Sequence, residues 1–213
     1  MKFLVSRPDH DNTVFYLHEW SKELIQKAEE KGFKILDCNG EKSNRETVEK
    51  MIEKQEPELI LFNGHGSPTK ICGHKNEVVI EQGKNEHLLK DKIIYARSCS
   101  TAASLGASSV AKGAKAYIGY KEDFAFLTGE FSASKPLNDE YARPFLNASN
   151  QVIRSLLKGL TAQEANQRSQ TVFDEEIEAL ERSDAPPYAE HILPLLVWDR
   201  MNQILIGNPG AKL

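Results

Sequence analysis

The sequence predicts an α/β fold built on a largely parallel sheet, and three observations carry that prediction. Short apolar runs rich in β-branched and aromatic residues recur along the chain, among them Phe3-Leu4-Val5, Leu59-Ile60-Leu61-Phe62 and Ile93-Ile94-Tyr95-Ala96. Such runs, bounded by polar segments, mark strands buried on both faces. Stretches at helical spacing separate them, and strand–helix alternation at this length argues for right-handed βαβ crossovers.

Phe3-Leu4-Val5 is a first strand, ended by Arg7-Pro8-Asp9. From Thr13 to Lys31, Leu17, Trp20, Leu24 and Ala28 recur at helical spacing, and Gly32 follows as a stop. Phe33 to Cys38 forms a second strand. Ser43-Asn44-Arg45-Glu46 has capping-box spacing ahead of Val48, Met51 and Ile52, and Pro57 closes that helix. The third strand runs into Asn63-Gly64-His65-Gly66. Ile71–Lys75 and Val78–Ile80 read as a hairpin, followed by a short polar helix near Asn85–Lys90. The fourth strand ends at Cys99, and Ser100 or Thr101 can cap the Ala- and Ser-rich helix that reaches Gly113. Ala116–Tyr120 is the fifth strand. Lys121–Pro136 reads as a loop, the natural place for limited autolysis, since nicking concentrates in exposed loops. Helices follow around Tyr141–Lys158 and from Thr161-Ala162-Gln163-Glu164, another capping box. His191–Trp198 and Gln203–Ile206 read as a terminal hairpin whose second strand closes the sheet antiparallel.

Composition narrows the function classes. With 213 residues, 40% hydrophobic and 27% charged, the chain reads as a single domain, residues 1–213. A net charge of −4 without a Lys/Arg stripe argues against nucleic acid. No run approaches the ~20 apolar residues of a membrane helix, and the opening segment is charged too soon for a signal peptide. Three cysteines, Cys38, Cys72 and Cys99, make no disulfide framework, so a reducing, cytoplasmic setting is expected.

Two consecutive strand-like runs end in chemistry: one in Gly64-His65-Gly66, the next in Ser98-Cys99-Ser100. In open α/β sheets, ligands bind where strands end. A cysteine becomes nucleophilic as thiolate, which a nearby His or a helix N-terminus favours. Cys99 therefore reads as nucleophile and His65 as base, with the Gly66 and Cys99 amides as oxyanion donors. A phosphatase loop would need Arg where Leu105 stands. A zinc site needs four ligands in pairs, and Cys72/His74 is the one close pair, so no metal and no cofactor is expected.

These residues resemble the caspase-haemoglobinase superfamily of cysteine peptidases, clan CD. There, one apolar strand ends in His-Gly and a later one in Ala-Cys or Ser-Cys, as Leu59–Gly66 and Ile93–Ser100 do. Ser109–Gly119 is similar to a helix-to-strand segment of the gingipain and CHAT branches, and Leu205-Ile206-Gly207-Asn208-Pro209 to their terminal motif. The resemblance implies a three-layer α/β/α caspase-like fold with a mixed six-stranded sheet, five strands parallel and the last antiparallel. It also implies a His65–Cys99 dyad without an obligatory third member, cleavage after one P1 residue, and a protein or peptide substrate. The caspase pentapeptide is absent, Asn208 replaces the usual Asp, and Cys99 follows His65 by only 34 positions, against about 50 in caspases.

The matching position two before the nucleophile is Asp in clostripain and metacaspases; here it is Arg97. Side chains at i and i+2 share a strand face, so Arg97 is expected beside Cys99, holding an acidic P1 side chain. Pairing of Arg97 with Glu122 or Asp123 is the competing expectation, and Asp123 in the pocket would reverse the preference. Two other functions stay open. One is an idle caspase-like module that binds a regulatory partner protein. The other is a flavodoxin-like ligand domain, disfavoured because Ser6-Arg7-Pro8-Asp9 stands where a Gly-rich phosphate loop would be.

Overall fold

The computed structural model describes residues 1–129 and 135–213. Six strands form one sheet: β1 (Lys2–Arg7), β2 (Lys34–Asn39), β3 (Leu59–Asn63), β7 (Ile93–Arg97), β8 (Ala116–Tyr120) and β9 (Gln203–Gly207). Their spatial order is β2-β1-β3-β7-β8-β9, parallel throughout except for antiparallel β9. The expected mixed six-stranded sheet is therefore what forms. A three-stranded antiparallel sheet, β4 (Gly66–Ser67), β5 (Lys70–Cys72) and β6 (Val78–Glu81), fills the connection from β3 to β7.

Alternation along each strand assigns the two faces. Phe3, Val5, Leu59, Leu61, Ile93, Tyr95 and Ile118 point into one core, and Leu4, Ile60, Phe62, Ile94, Ala96 and Tyr117 into the other. Helices α1 (Asn12–Glu30), α4 (Arg143–Leu156) and α5 (Ala162–Leu180) cover the first face. Helices α2 (Arg45–Gln55) and α3 (Leu105–Ala111) cover the second, with the small sheet beside α2. Burial on both faces explains why the strand sequences lack polar alternation. Because α1 and α2 lie on opposite faces, the strand order reverses between β1 and β3. Ligand crevices in open α/β sheets form at that reversal, beyond the carboxyl ends of the strands.

Several elements differ from expectation. His191–Trp198 is not a strand but part of α6 (Ala189–Asn202), which contains Pro194. Its buried residues Ala189, Ile192, Leu196 and Asp199 recur at helical spacing, and Ile192 and Leu196 pack on Phe145 and Phe173. An apolar run of eight residues does not by itself separate helix from strand. Ser43 is not the α2 cap: Asn44 is, accepting from the Thr47 amide, while the Ser43 hydroxyl meets Ser6. After Cys99 the chain makes a 3-10 turn at Thr101–Ala103 before α3 begins, with no side-chain cap from Ser100 or Thr101. The capping box at Thr161/Glu164 is present on both sides. Of the expected loop Lys121–Pro136, residues 121–129 carry no regular structure, and 130–134 lie outside the described residues.

Candidate active site

Strands β3 and β7 pair in parallel with Asn63 opposite Arg97. Two residues further on, His65 and Cys99 therefore leave the same edge of the sheet side by side. The turns themselves are in contact. A Cβ on Gly66 would stand 2.8 Å from the Cys99 carbonyl oxygen and 2.9 Å from Ser98 Cβ and Thr101 Cγ2. Gly66 is thus required by the close approach of the His65 turn to the Cys99 turn. Gly64, at φ +154°, faces the Cys72 carbonyl, where no side chain fits. Ser100, directly after the cysteine, takes the left-handed conformation at φ 60°. That bend turns the chain out of the sheet immediately after Cys99, and the Ser100 amide donates to the Glu122 carbonyl.

His65 is oriented by a residue the sequence reading passed over. Asp11 caps α1, its Oδ1 accepting from the Val14 amide at 3.0 Å. Its Oδ2 accepts from His65 Nε2 at 2.7 Å. A carboxylate only accepts, so this bond places the imidazole proton on Nε2 and leaves the Nδ1 lone pair free to accept a proton. Burial alone would raise the Asp11 pKa, but the Val14 amide and His65 together hold it below the usual carboxylate range. The signal was present: Asp11 precedes an apolar-periodic helix at the carboxyl end of β1. The resemblance, however, called for no third member.

Cys99 is half-buried, and its Sγ lies 3.8 Å from the Phe124 carbonyl oxygen. Burial pushes its thiol up to about 11, and the Asp123 and Asp199 carboxylates add to that. The resting group is a neutral thiol, so a nucleophile arises when a base removes the proton. Among the described residues, the Cys99 amide donates to no protein acceptor, and it remains open to a developing oxyanion.

Arg97 does not take the expected place. It shares the α1/α4 face of the sheet with Tyr95 and is fully buried. Its Nε donates to Asn63 Oδ1 at 2.8 Å, Nη1 to Asn150 Oδ1 at 2.7 Å and Nη2 to the Leu17 carbonyl at 3.3 Å. Those acceptors are all neutral, and burial lowers its pKa to about 10. A guanidinium sealed beneath α1 and α4 ties those helices to the sheet and offers no surface to a P1 carboxylate. Neither Glu122 nor Asp123 pairs with it. Asp123 is exposed, accepts from the Ser100 hydroxyl at 3.0 Å, and its carbonyl accepts from Trp198 Nε1.

A second cluster surrounds the base. His10, Asp11 and His65 bring one ligand atom each within 4.8 Å of one another, an arrangement able to hold a metal ion. Sequence spacing points instead to Cys72/His74 as the one close pair. His10 and Asp11 meet His65 only through the pairing of β1 with β3.

No family model matches the chain, and no curated protein matches it. Solved structures do. The Arg-specific cysteine proteinase gingipain R superposes at TM-score 0.63 and 13% identity, over 100% of this chain and 47% of that one. The complex of the pro- and mature domains of Porphyromonas gingivalis RgpB matches at TM-score 0.60 and 12% identity, over 98% of this chain and 47% of that one. This chain thus spans about half the length of the chains it matches. At such identity the likeness speaks for architecture: the chain has the caspase-like α/β/α fold of gingipain.

Proposed function

We propose that the chain is a cysteine endopeptidase working through Cys99 and His65. The observation that carries this reading is the pairing of β3 with β7, which sets the two residues on adjacent turns while Asp11 fixes the tautomer of the imidazole. As a peptide binds, His65 Nδ1 takes the Cys99 proton, and the thiolate attacks the scissile carbonyl. The Cys99 and Gly66 amides receive the oxyanion, and the imidazolium protonates the leaving amine. Water, deprotonated by His65, then hydrolyses the thioester. Asp11 stays ionised throughout and steadies the imidazolium.

The proposed P1 preference is basic. Arg97 is sealed away, and the exposed carboxylate that acts on Cys99 is Asp123. Asp123, exposed beside the Cys99 turn, is the residue proposed to meet a Lys or Arg side chain. Its like charge would repel Asp or Glu there. A peptide panel with Arg, Lys, Asp and Glu at P1 tests this: cleavage after Arg or Lys, weakened in Asp123→Asn, is expected, and preferential cleavage after Asp or Glu would overturn it. The second reading, an idle module that binds a partner protein, is favoured by the protonated thiol turned towards Phe124. A labelled peptidyl electrophile separates the two. Capture at Cys99 that is lost in His65→Ala supports the peptidase, and no capture supports the module.

A further inference from the structure

The reversal point between β1 and β3 holds more imidazole than a peptidase uses. His10 is 11% exposed at its side chain, and neither ring nitrogen has a hydrogen-bond partner among the described residues. A neutral imidazole must carry a proton on one nitrogen, so burying both unpaired leaves a donor and an acceptor unsatisfied. His74 packs against it at 5.3 Å between ring centroids, edge to face, and fixes the ring. Its own nitrogens are also unpaired, the nearest approach being Nδ1 to Asp9 Oδ1 at 3.6 Å.

The His10 ring is aimed at the group that orients the base. His10 Nε2 lies 3.4 Å from Asp11 Oδ2, the same oxygen that accepts from His65 Nε2 at 2.7 Å. Two ligands bonded at ~2.0–2.1 Å to a tetrahedral ion stand about 3.3 Å apart. The His10–Asp11 separation already has that value, and the His65–Asp11 separation needs to open by roughly 0.6 Å. Two imidazoles and one carboxylate suit a borderline ion of the zinc type, whereas calcium and magnesium demand oxygen donors.

We propose that His10, Asp11 and His65 form an inhibitory binding site for a zinc-class divalent cation. Bound there, the ion takes the Nε2 lone pair of the tautomer that carries its proton on Nδ1, and it engages the Asp11 oxygen that orients the ring. With Nδ1 protonated and Nε2 on the ion, the imidazole has no lone pair left to take the Cys99 proton, and proton transfer from Cys99 stops. The site rests on geometry alone, while its inhibitory consequence rests on the peptidase reading above.

The test is calorimetric titration of the chain with ZnCl2 in a non-chelating buffer, for wild type, His10→Ala, His10→Gln and Cys99→Ala. One site per chain is expected in wild type and Cys99→Ala, with affinity at least tenfold weaker in both His10 variants. Thermal unfolding with and without zinc gives a second readout: the zinc-induced rise in Tm is expected to disappear in the His10 variants. In peptide assays, zinc is expected to lower the cleavage rate of wild type and to leave each His10 variant at its own zinc-free rate. Absence of stoichiometric binding to wild type would overturn the site. So would binding that survives in both His10 variants and vanishes in Cys99→Ala, which would place the ion on the dyad itself. An inactive chain that still binds zinc through His10 would sink the peptidase reading and leave the site standing.

Discussion

Asp11 serves two structural ends with its two oxygens, since one caps α1 and the other holds His65. Asp11→Asn separates them. Asparagine caps a helix as well as aspartate does, so thermal stability is expected to hold, while the amide favours the wrong tautomer of His65. For the proposed peptidase, the expected result is a roughly 100-fold fall in kcat/KM without a comparable change in KM; unchanged turnover would show that Asp11 does not orient His65. At Cys99, burial keeps the thiol protonated, and the Asp123 carboxylate adds to that. The rate of iodoacetamide capture is therefore expected to rise late, with a midpoint near about 11, where a free thiol reacts near ~8.5. Asp123→Asn lowers that midpoint, because it removes a negative charge that opposes the thiolate. A plateau already reached at neutral pH would contradict this environment. Sequence alone made Cys99 and His65 legible, since both end apolar strand-like runs. It did not disclose the protonation state, which depends first on burial by the fold and then on Asp123.

At the scale of elements, the site exists because two turns touch. In Gly66→Ala the new methyl would press on the Cys99 carbonyl, Ser98 and Thr101 at 2.8–2.9 Å. Relief requires the His65 turn to withdraw from the Cys99 turn, at a cost of about 1–3 kcal/mol. Chemical denaturation should register that loss, and peptide turnover should fall further than stability does, since the dyad geometry opens. A variant that is fully active and equally stable would remove Gly66 from this role. The sequence offers Gly66 as an oxyanion amide, and the contact between turns is a second reason for a glycine there. The helix α6 teaches a related lesson. Its run Ile192-Leu193-Pro194-Leu195-Leu196 fits either period, and the apolar surface of Phe145 and Phe173 decides for helix.

At the scale of the whole molecule, one buried carboxyl group among the described residues has an oxygen without a partner. Asp199 is fully buried at the sheet edge, accepting from the Ala125 amide through Oδ1 while Oδ2 has no partner among the described residues. Burial raises its pKa well above 3.8. The folded state thus holds the proton more tightly than the unfolded chain. The stability this contributes is fully present below 3.8 and is lost as pH rises through the folded value. Carboxylates held low, Asp11 and Glu23 among them, slope the other way, so the readout is a difference between two proteins. Unfolding free energies from pH 4 to 8 are expected to show Asp199→Asn gaining on wild type as pH rises. Parallel curves would mean that Asp199 does not titrate in this window.

The strands, their order of chemistry and most helices were determined by the sequence itself. Burial on both faces leaves an unbroken apolar run, and caps such as Thr161/Glu164 act between residues three apart. What sequence could not decide was every relation between distant segments. Arg97 was expected beside Cys99 by strand alternation, holding an acidic P1 side chain. Arg97 shares a strand face with Tyr95, and the packing of α1 and α4 over that face buries it against Asn150 and Leu17. The same holds for His10, Asp11 and His65. Their separations of 3.4 and 2.7 Å follow from β3 pairing with β1 rather than with β2, a choice made by hydrogen bonds and core packing across the sheet and written in no local spacing.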